Sequence, residues 1–125
     1  MGYNLNKHGL FNERWAWTNS NIKRVLSELE TCEHPIVHVC SGCSNIGDIR
    51  VDRVNVNTIG MVNHWSKDSH KHRGSANILG NMACLPLKSG FAGTVLCDPP
   101  YDIKPMDHEV FKDLNRELIR ILKPK

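Results

Sequence analysis

Ala92-Gly93-Thr94-Val95-Leu96-Cys97-Asp98-Pro99-Pro100-Tyr101 decides how the chain reads. An apolar run, preceded by Ser89-Gly90, stops abruptly at an acid and two prolines. This predicts a short buried strand ending in a rigid turn. The carboxyl end of such a strand is where an open α/β sheet places a ligand site. The Asp98 carboxylate accepts hydrogen bonds. The two prolines fix φ and lack N–H groups, so a carbonyl there can be aimed at a substrate amine. Tyr101 offers a flat face for stacking a base. A plain Pro-Pro turn after a strand reads the same residues equally well, so the weight falls on what stands upstream.

Upstream, Val37-His38-Val39-Cys40-Ser41-Gly42-Cys43-Ser44-Asn45-Ile46-Gly47 predicts a strand opening into a loop of small residues. The strand, Ile36 to Cys40, is short, β-branched and mostly apolar, as a central parallel strand should be. The loop, Ser41 to Gly47, suits a ligand that approaches the backbone closely. Such a loop needs few or small side chains, and its glycines can take positive φ. Ile49 to Asp52 reads as a second strand with an acid at its end, and Ala76 to Leu79 as a third. A parallel pair needs a crossover of about a dozen residues. The segment between the first two strands is shorter. Either its helix is reduced to a turn, or the second strand begins nearer Val54.

Together, the Asp98-Pro99-Pro100-Tyr101 motif in its strand context and the Gly42–Gly47 loop resemble class I S-adenosylmethionine-dependent methyltransferases. The group is the amino-methyltransferases with an Asp-Pro-Pro-Tyr motif, of which the N6-adenine DNA enzymes are the nearest in pattern. The resemblance covers roughly residues 15 to 125. It implies an α/β, Rossmann-like open parallel sheet of strand order near 3-2-1-4 with flanking helices. It implies S-adenosyl-L-methionine as cofactor, held by His38, Ser41, Gly42, Gly47, Asp52, Asn81, Met82 and Asp98. His38 stands where the family has an acid, and Ser44 stands at its usual middle glycine. Gly42 and Gly47 match. Asp52 falls where a family acid bonds the ribose hydroxyls, a diol to which a carboxylate is well suited. A solvated surface aspartate is the plain alternative. The Gly80-Asn81-Met82-Ala83 turn falls where the family touches adenine, with Asn81 at the position of an acid. Asp98, Pro99, Pro100 and Tyr101 are implied as catalytic, and no metal is required.

Composition bounds these readings. The chain has 125 residues, 40% hydrophobic, enough for one domain and one core. We expect a single domain, 1–125, with an amino-terminal arm over 1–18. No apolar run approaches the ~18 residues of a membrane span, and no signal-peptide pattern opens the chain. The expected compartment is the cytoplasm, with no membrane partner. A net charge of +3 with seven histidines is compatible with a nucleic-acid partner without demanding one. Five cysteines, an odd number and partly within apolar strands, suggest free thiols in a reducing compartment. Cys40-x-x-Cys43 has the spacing of a metal or redox pair, but no second such pair completes a zinc set.

The remaining segments are less specific. Trp15 and Trp17, near Lys7, His8 and Arg14, either stack on bases or cover the sheet edge. The resemblance implies that Trp17-Thr18-Asn19 closes over the methionine end of the cofactor. Asn19 or Ser20 caps a helix running to about Glu30, with Ile22, Val25, Leu26 and Leu29 on its core face. Residues 63–74 hold three histidines, two lysines and an arginine around Trp65. They are either a phosphate-and-stacking surface or a solvated segment. A metal cluster of His64, His70 and His72 is the lesser option. Asp107 caps a final helix in which Val110, Leu114, Leu118 and Leu122 recur every four residues, with Phe111 and Ile119 widening the face. Lys123-Pro124 ends it. In the family, further strands follow such a pair. We therefore expect either a longer protein or a homodimer or partner subunit over the edge of the Asp98 strand.

The expected function is methyl transfer to an exocyclic amino group of a nucleic-acid base, adenine N6 in DNA first. An RNA guanine or adenine methyltransferase is the second reading. A non-catalytic binding module with the same fold is the third.

Overall fold

The computed structural model describes residues 19–42, 44–53, 74, 76–99 and 108–125. The arm 1–18, Cys43, the basic segment around Trp65 with His64, His70 and His72, Pro100, Tyr101 and Asp107 lie outside the described residues.

The order of elements is α1 (Asn19–Leu29), β1 (Ile36–Val39), β2 (Ile49–Asp52), β3 (Ile78–Leu79), β4 (Thr94–Cys97) and α2 (His108–Ile121). The four strands form one sheet of order β3-β2-β1-β4, and every pairing is parallel. The chain adopts an α/β, Rossmann-like open sheet. All four residues of β1 are buried, as expected of a central strand covered on both faces.

The first crossover is a loop. β1 ends at Val39 and β2 begins at Ile49, and the residues described between them form no helix. Backbone hydrogen bonds explain how so short a path closes. Cys40 N–H donates to the Val51 carbonyl at 2.8 Å, turning the chain from β1 toward β2. Ser44 N–H donates to Ser41 at 3.0 Å, and Asp48 N–H returns to Ile36 at 2.8 Å. The second strand thus starts at Ile49, and the alternative start near Val54 is not adopted.

Three strand limits differ from the sequence reading. β1 stops before Cys40 because Cys40 adopts a left-handed conformation, φ 59°. β3 is confined to Ile78–Leu79. β4 begins at Thr94 because Ala92 has another partner. Its N–H donates to Ile121 at 2.7 Å and its carbonyl accepts from Lys123 at 2.9 Å, making a parallel bridge to Leu122. Gly93 is forced by proximity. A Cβ there would stand 2.6 Å from the Glu33 carbonyl oxygen and 2.7 Å from that of His34.

Strand register sorts the side chains. Val37, Val39, Ile49, Val51, Val95 and Cys97 share one face by their pairing. That face joins Leu85, Ala92, Leu114 and Ile121 in the apolar core, so α2 covers it. The buried stripe of α2 is Phe111, Leu114, Leu118 and Ile121. Ile119, assigned to that face from the sequence, is 74% exposed. A strict four-residue repeat drifts around a helix of 3.6 residues per turn, and the core follows the alternating steps of four and three. Glu117 and Arg120 clasp the chain ahead of β4. Glu117 Oε1 accepts from Leu85 N–H at 2.7 Å while Arg120 Nη2 donates to the Leu85 carbonyl at 3.1 Å. The Arg120 guanidinium holds the Glu117 carboxyl below its ordinary range. Among the described residues, no helix is long and apolar enough to cross a membrane.

Candidate functional site

Parallel strands bring their carboxyl ends to one side of the sheet, and the chemistry-bearing residues gather there. Asp98 leaves β4 with its N–H still bonded to the Val39 carbonyl at 3.3 Å, so it emerges beside the end of β1. Asp52 ends β2 on the other flank. The charges of both carboxylates bear on the same two side chains, His38 and Cys40. Strand register therefore places on either side of β1, at one end of the sheet, two acids more than forty positions apart in the sequence.

Asp52 organises the loop. Its Oδ2 accepts from Gly42 N–H at 2.9 Å and its Oδ1 from Arg53 N–H at 2.7 Å. Its own carbonyl accepts from Gly80 N–H at 2.9 Å. One side chain thus fixes the loop after β1 and the turn after β2, while each oxygen keeps room for a further donor. Gly42 is buried with φ 53°. Ser41 is 3% exposed, and its Oγ has no hydrogen-bond partner among the described residues. An unspent hydroxyl next to a backbone turn is a group that a ligand would satisfy.

His38 lies deeper than the sequence reading placed it. It is 1% exposed, at mid-strand, and its Nδ1–H donates to the Ile46 carbonyl at 2.9 Å. Burial pushes its pKa down, against the opposing pull of the Ile46 carbonyl and of Asp98 and Asp52. A neutral imidazole supporting the loop from beneath is the physical consequence. Gly47 owes its identity to this packing. At φ 105°, a Cβ there would stand 3.0 Å from the His38 Cβ and 3.4 Å from the Ile36 carbonyl oxygen. Ser44 is also absorbed by the loop, its Oγ accepting from Ile46 N–H at 3.0 Å.

On the remaining side, Asn81 is exposed, and its Oδ1 accepts from Ala83 N–H at 2.8 Å, a local turn that leaves the amide NH2 uncommitted to that bond. Met82 is half-buried against the core, with its Sδ 3.5 Å from Cys40 Sγ. Cys97 is the in-register neighbour of Val39 and interacts with the Cys40 thiol. That interaction is the first cause pushing the Cys40 thiol up and holding the Cys97 thiol down. The left-handed φ of Cys40 is an uncommon conformation for a side chain other than glycine and costs about 1–3 kcal/mol.

Cys43, which sequence spacing pairs with Cys40, lies outside the described residues; among those described, the fold brings Cys97 and Met82 to Cys40. Cys97 ends the strand paired to β1, and that position was the only signal the sequence held. Asp98 and Pro99 sit at the site, whereas Pro100 and Tyr101, also assigned from the sequence, are outside the described residues. Among the described residues, no group of three His, Cys, Asp or Glu side chains is placed to hold a metal ion.

No family model, curated protein or solved structure matches the chain.

Proposed function

We propose that the chain is a methyltransferase that uses S-adenosyl-L-methionine and acts on an exocyclic amino group of a nucleic-acid base, with adenine N6 in DNA as the first substrate. The observation that carries this reading is the meeting of Asp98-Pro99, Asp52 and the Ser41-Gly42 turn at the carboxyl ends of β4, β2 and β1. The polar groups suit the cofactor: a Ser41 hydroxyl with no partner among the described residues, Asp52 carboxylate oxygens that can accept from hydroxyl groups, and the Asn81 amide for a heterocycle. When bound, S-adenosylmethionine supplies an electrophilic methyl group.

The chain's own residues then have distinct tasks. An aromatic amine is a weak nucleophile because its lone pair is delocalised into the ring. Asp98 and the Pro99 carbonyl accept the amine hydrogens and localise that lone pair on nitrogen. Proline at 99 keeps this stretch rigid. Fixed acceptors lower the barrier without reorganising, and alignment supplies most of the remainder. Tyr101 stacks on the base, which leaves the duplex to reach the site. Asp52 and Gly42 hold the loop, with His38 beneath it. The free thiols Cys32, Cys40, Cys84 and Cys97 support a cytoplasmic setting. A second copy or a partner subunit along the outer side of β4 would satisfy the strand edge there.

Calorimetric titration of the chain with S-adenosylmethionine and with its demethylated product tests the reading. Micromolar binding is expected, followed by methyl incorporation into adenine-containing DNA. Absence of binding by the folded chain would overturn it and leave a non-catalytic module.

A further inference from the structure

Cys40 and Cys97 have no part in the transfer chemistry, yet the fold sets them face to face. They sit at the carboxyl ends of neighbouring parallel strands, Cys97 in register with Val39 and Cys40 one residue further along. In a regular strand, successive side chains point to opposite faces. The left-handed turn at Cys40 breaks that alternation, and Cys40 packs against the same apolar cluster as Cys97 and Met82. Cys40 Sγ faces Met82 Sδ at 3.5 Å and interacts with the Cys97 thiol. Both cysteines are half-buried and unoxidised. The other described cysteines differ. Cys84 is exposed, and the Cys32 thiol donates to its own helix, to the Glu28 carbonyl at 3.3 Å.

We propose that Cys40 and Cys97 form a dithiol–disulfide couple whose closure ties the loop after β1 to the strand bearing Asp98 and shuts the cofactor end of the site. The oxidant is a low-molecular-weight disulfide. The Cys97 thiolate attacks one of its sulfurs, forming a mixed disulfide and expelling one thiolate. Deprotonated Cys40 then attacks the Cys97 sulfur, forming the Cys40–Cys97 bond and expelling the second thiolate. The two cysteines lose two protons and two electrons, and the small disulfide leaves as two thiols. The bond joins Asp98's neighbour to Ser41's neighbour, so it acts on both halves of the site at once. The couple itself rests on the register of Cys97 with Val39, the left-handed turn at Cys40 and the packing of both side chains on one apolar cluster, whichever thiol attacks first. Its effect on cofactor binding rests on the methyltransferase reading.

The test treats the full chain with oxidised glutathione under native conditions, followed by intact-mass measurement and peptide mapping without reduction. The expected result is the loss of two hydrogens with a Cys40–Cys97 linked peptide. Cys40→Ser and Cys97→Ser should each abolish the loss, while Cys43→Ser and Cys84→Ser retain it. Mapping the unsubstituted chain decides the matter if a variant fails to fold. A Cys40–Cys43 link, stable glutathione adducts without closure, or no change in mass would each overturn the couple. S-adenosylmethionine titration of both forms then reads the gating. At least a tenfold weaker affinity in the oxidised form supports it, and equal affinity overturns it. Failure of the reduced form to bind removes the methyltransferase reading and the gating with it, but leaves the mapped disulfide standing.

Discussion

The two ends of the sheet solve different problems. At the amino ends, polar groups are spent on one another. Asp48 Oδ2 accepts from Ile36 N–H at 2.7 Å and also meets His34 Nδ1. Thr94 Oγ1 donates to Glu33 at 2.8 Å, Gly93 N–H to Pro35 at 3.0 Å, and Lys123 Nζ reaches Glu33 Oε1 at 3.1 Å. At the carboxyl ends, the Ser41 hydroxyl is buried without a described partner, a left-handed cysteine faces two sulfurs, and two carboxylates bear on one loop. Satisfied polar groups hold a fold together, whereas strained and unspent ones collect where a ligand is to be received. The difference assigns stability to one end and makes the other the candidate site.

The largest expected effect is at the functional end. Asp98→Ala should lower methyl transfer by about a hundredfold or more while the affinity for S-adenosylmethionine, read by calorimetry, changes little. Undiminished activity would break the assignment of Asp98. The converse is Gly93→Ala, which drives a Cβ toward the Glu33 and His34 carbonyl oxygens. Urea unfolding should show a loss of about 3 kcal/mol. Cofactor affinity of the molecules that remain folded should be unaltered. A normal midpoint would mean that the amino end is looser than its contacts indicate.

Asp52→Ala should sharpen the comparison by affecting both properties. Loss of the acceptor for Gly42 N–H should lower stability by about 1 kcal/mol, and cofactor affinity should fall roughly tenfold, with transfer at saturating cofactor largely kept. The smallest effect is the pH response of the amino end. The Ile36 N–H, and then His34, hold the Asp48 carboxyl below its ordinary value. Its contribution is therefore present above the usual aspartate range and is lost as pH falls through the lowered value. Asp48 is largely exposed, so the contribution is under about 1 kcal/mol after solvent screening. Thermal unfolding of Asp48→Asn should be less acid-sensitive below about pH 4 than that of the unsubstituted chain.

Much of the fold was legible in short runs. Ile36–Val39 and Thr94–Cys97 are mostly apolar, Ile49–Asp52 alternates apolar with charged residues, all three carry β-branched residues, and each became a strand. The α2 stripe was legible in kind but not in detail, because a repeat of four approximates 3.6 only over a few turns. The candidate site was suggested where a residue type is rare in its setting, as with Asp98 before two prolines. At Gly47 the local run left something out: read as a cofactor-loop glycine, it also stands where an added Cβ would lie 3.0 Å from the Cβ of the buried His38.

By itself, the sequence determined which segments are strands and helices, and that an acid follows the last strand. Those properties depend on neighbours along the chain: alternation, propensity and the fixed φ of proline. The strand order 3-2-1-4, expected from the resemblance, is the one observed, but only the tertiary structure decided that Cys40 meets Cys97 and Met82, that Asp52 holds Gly42, and that His38 is buried. Such contacts depend on register and crossover. They are set by packing the whole apolar face against α2, and no local run of residues encodes them.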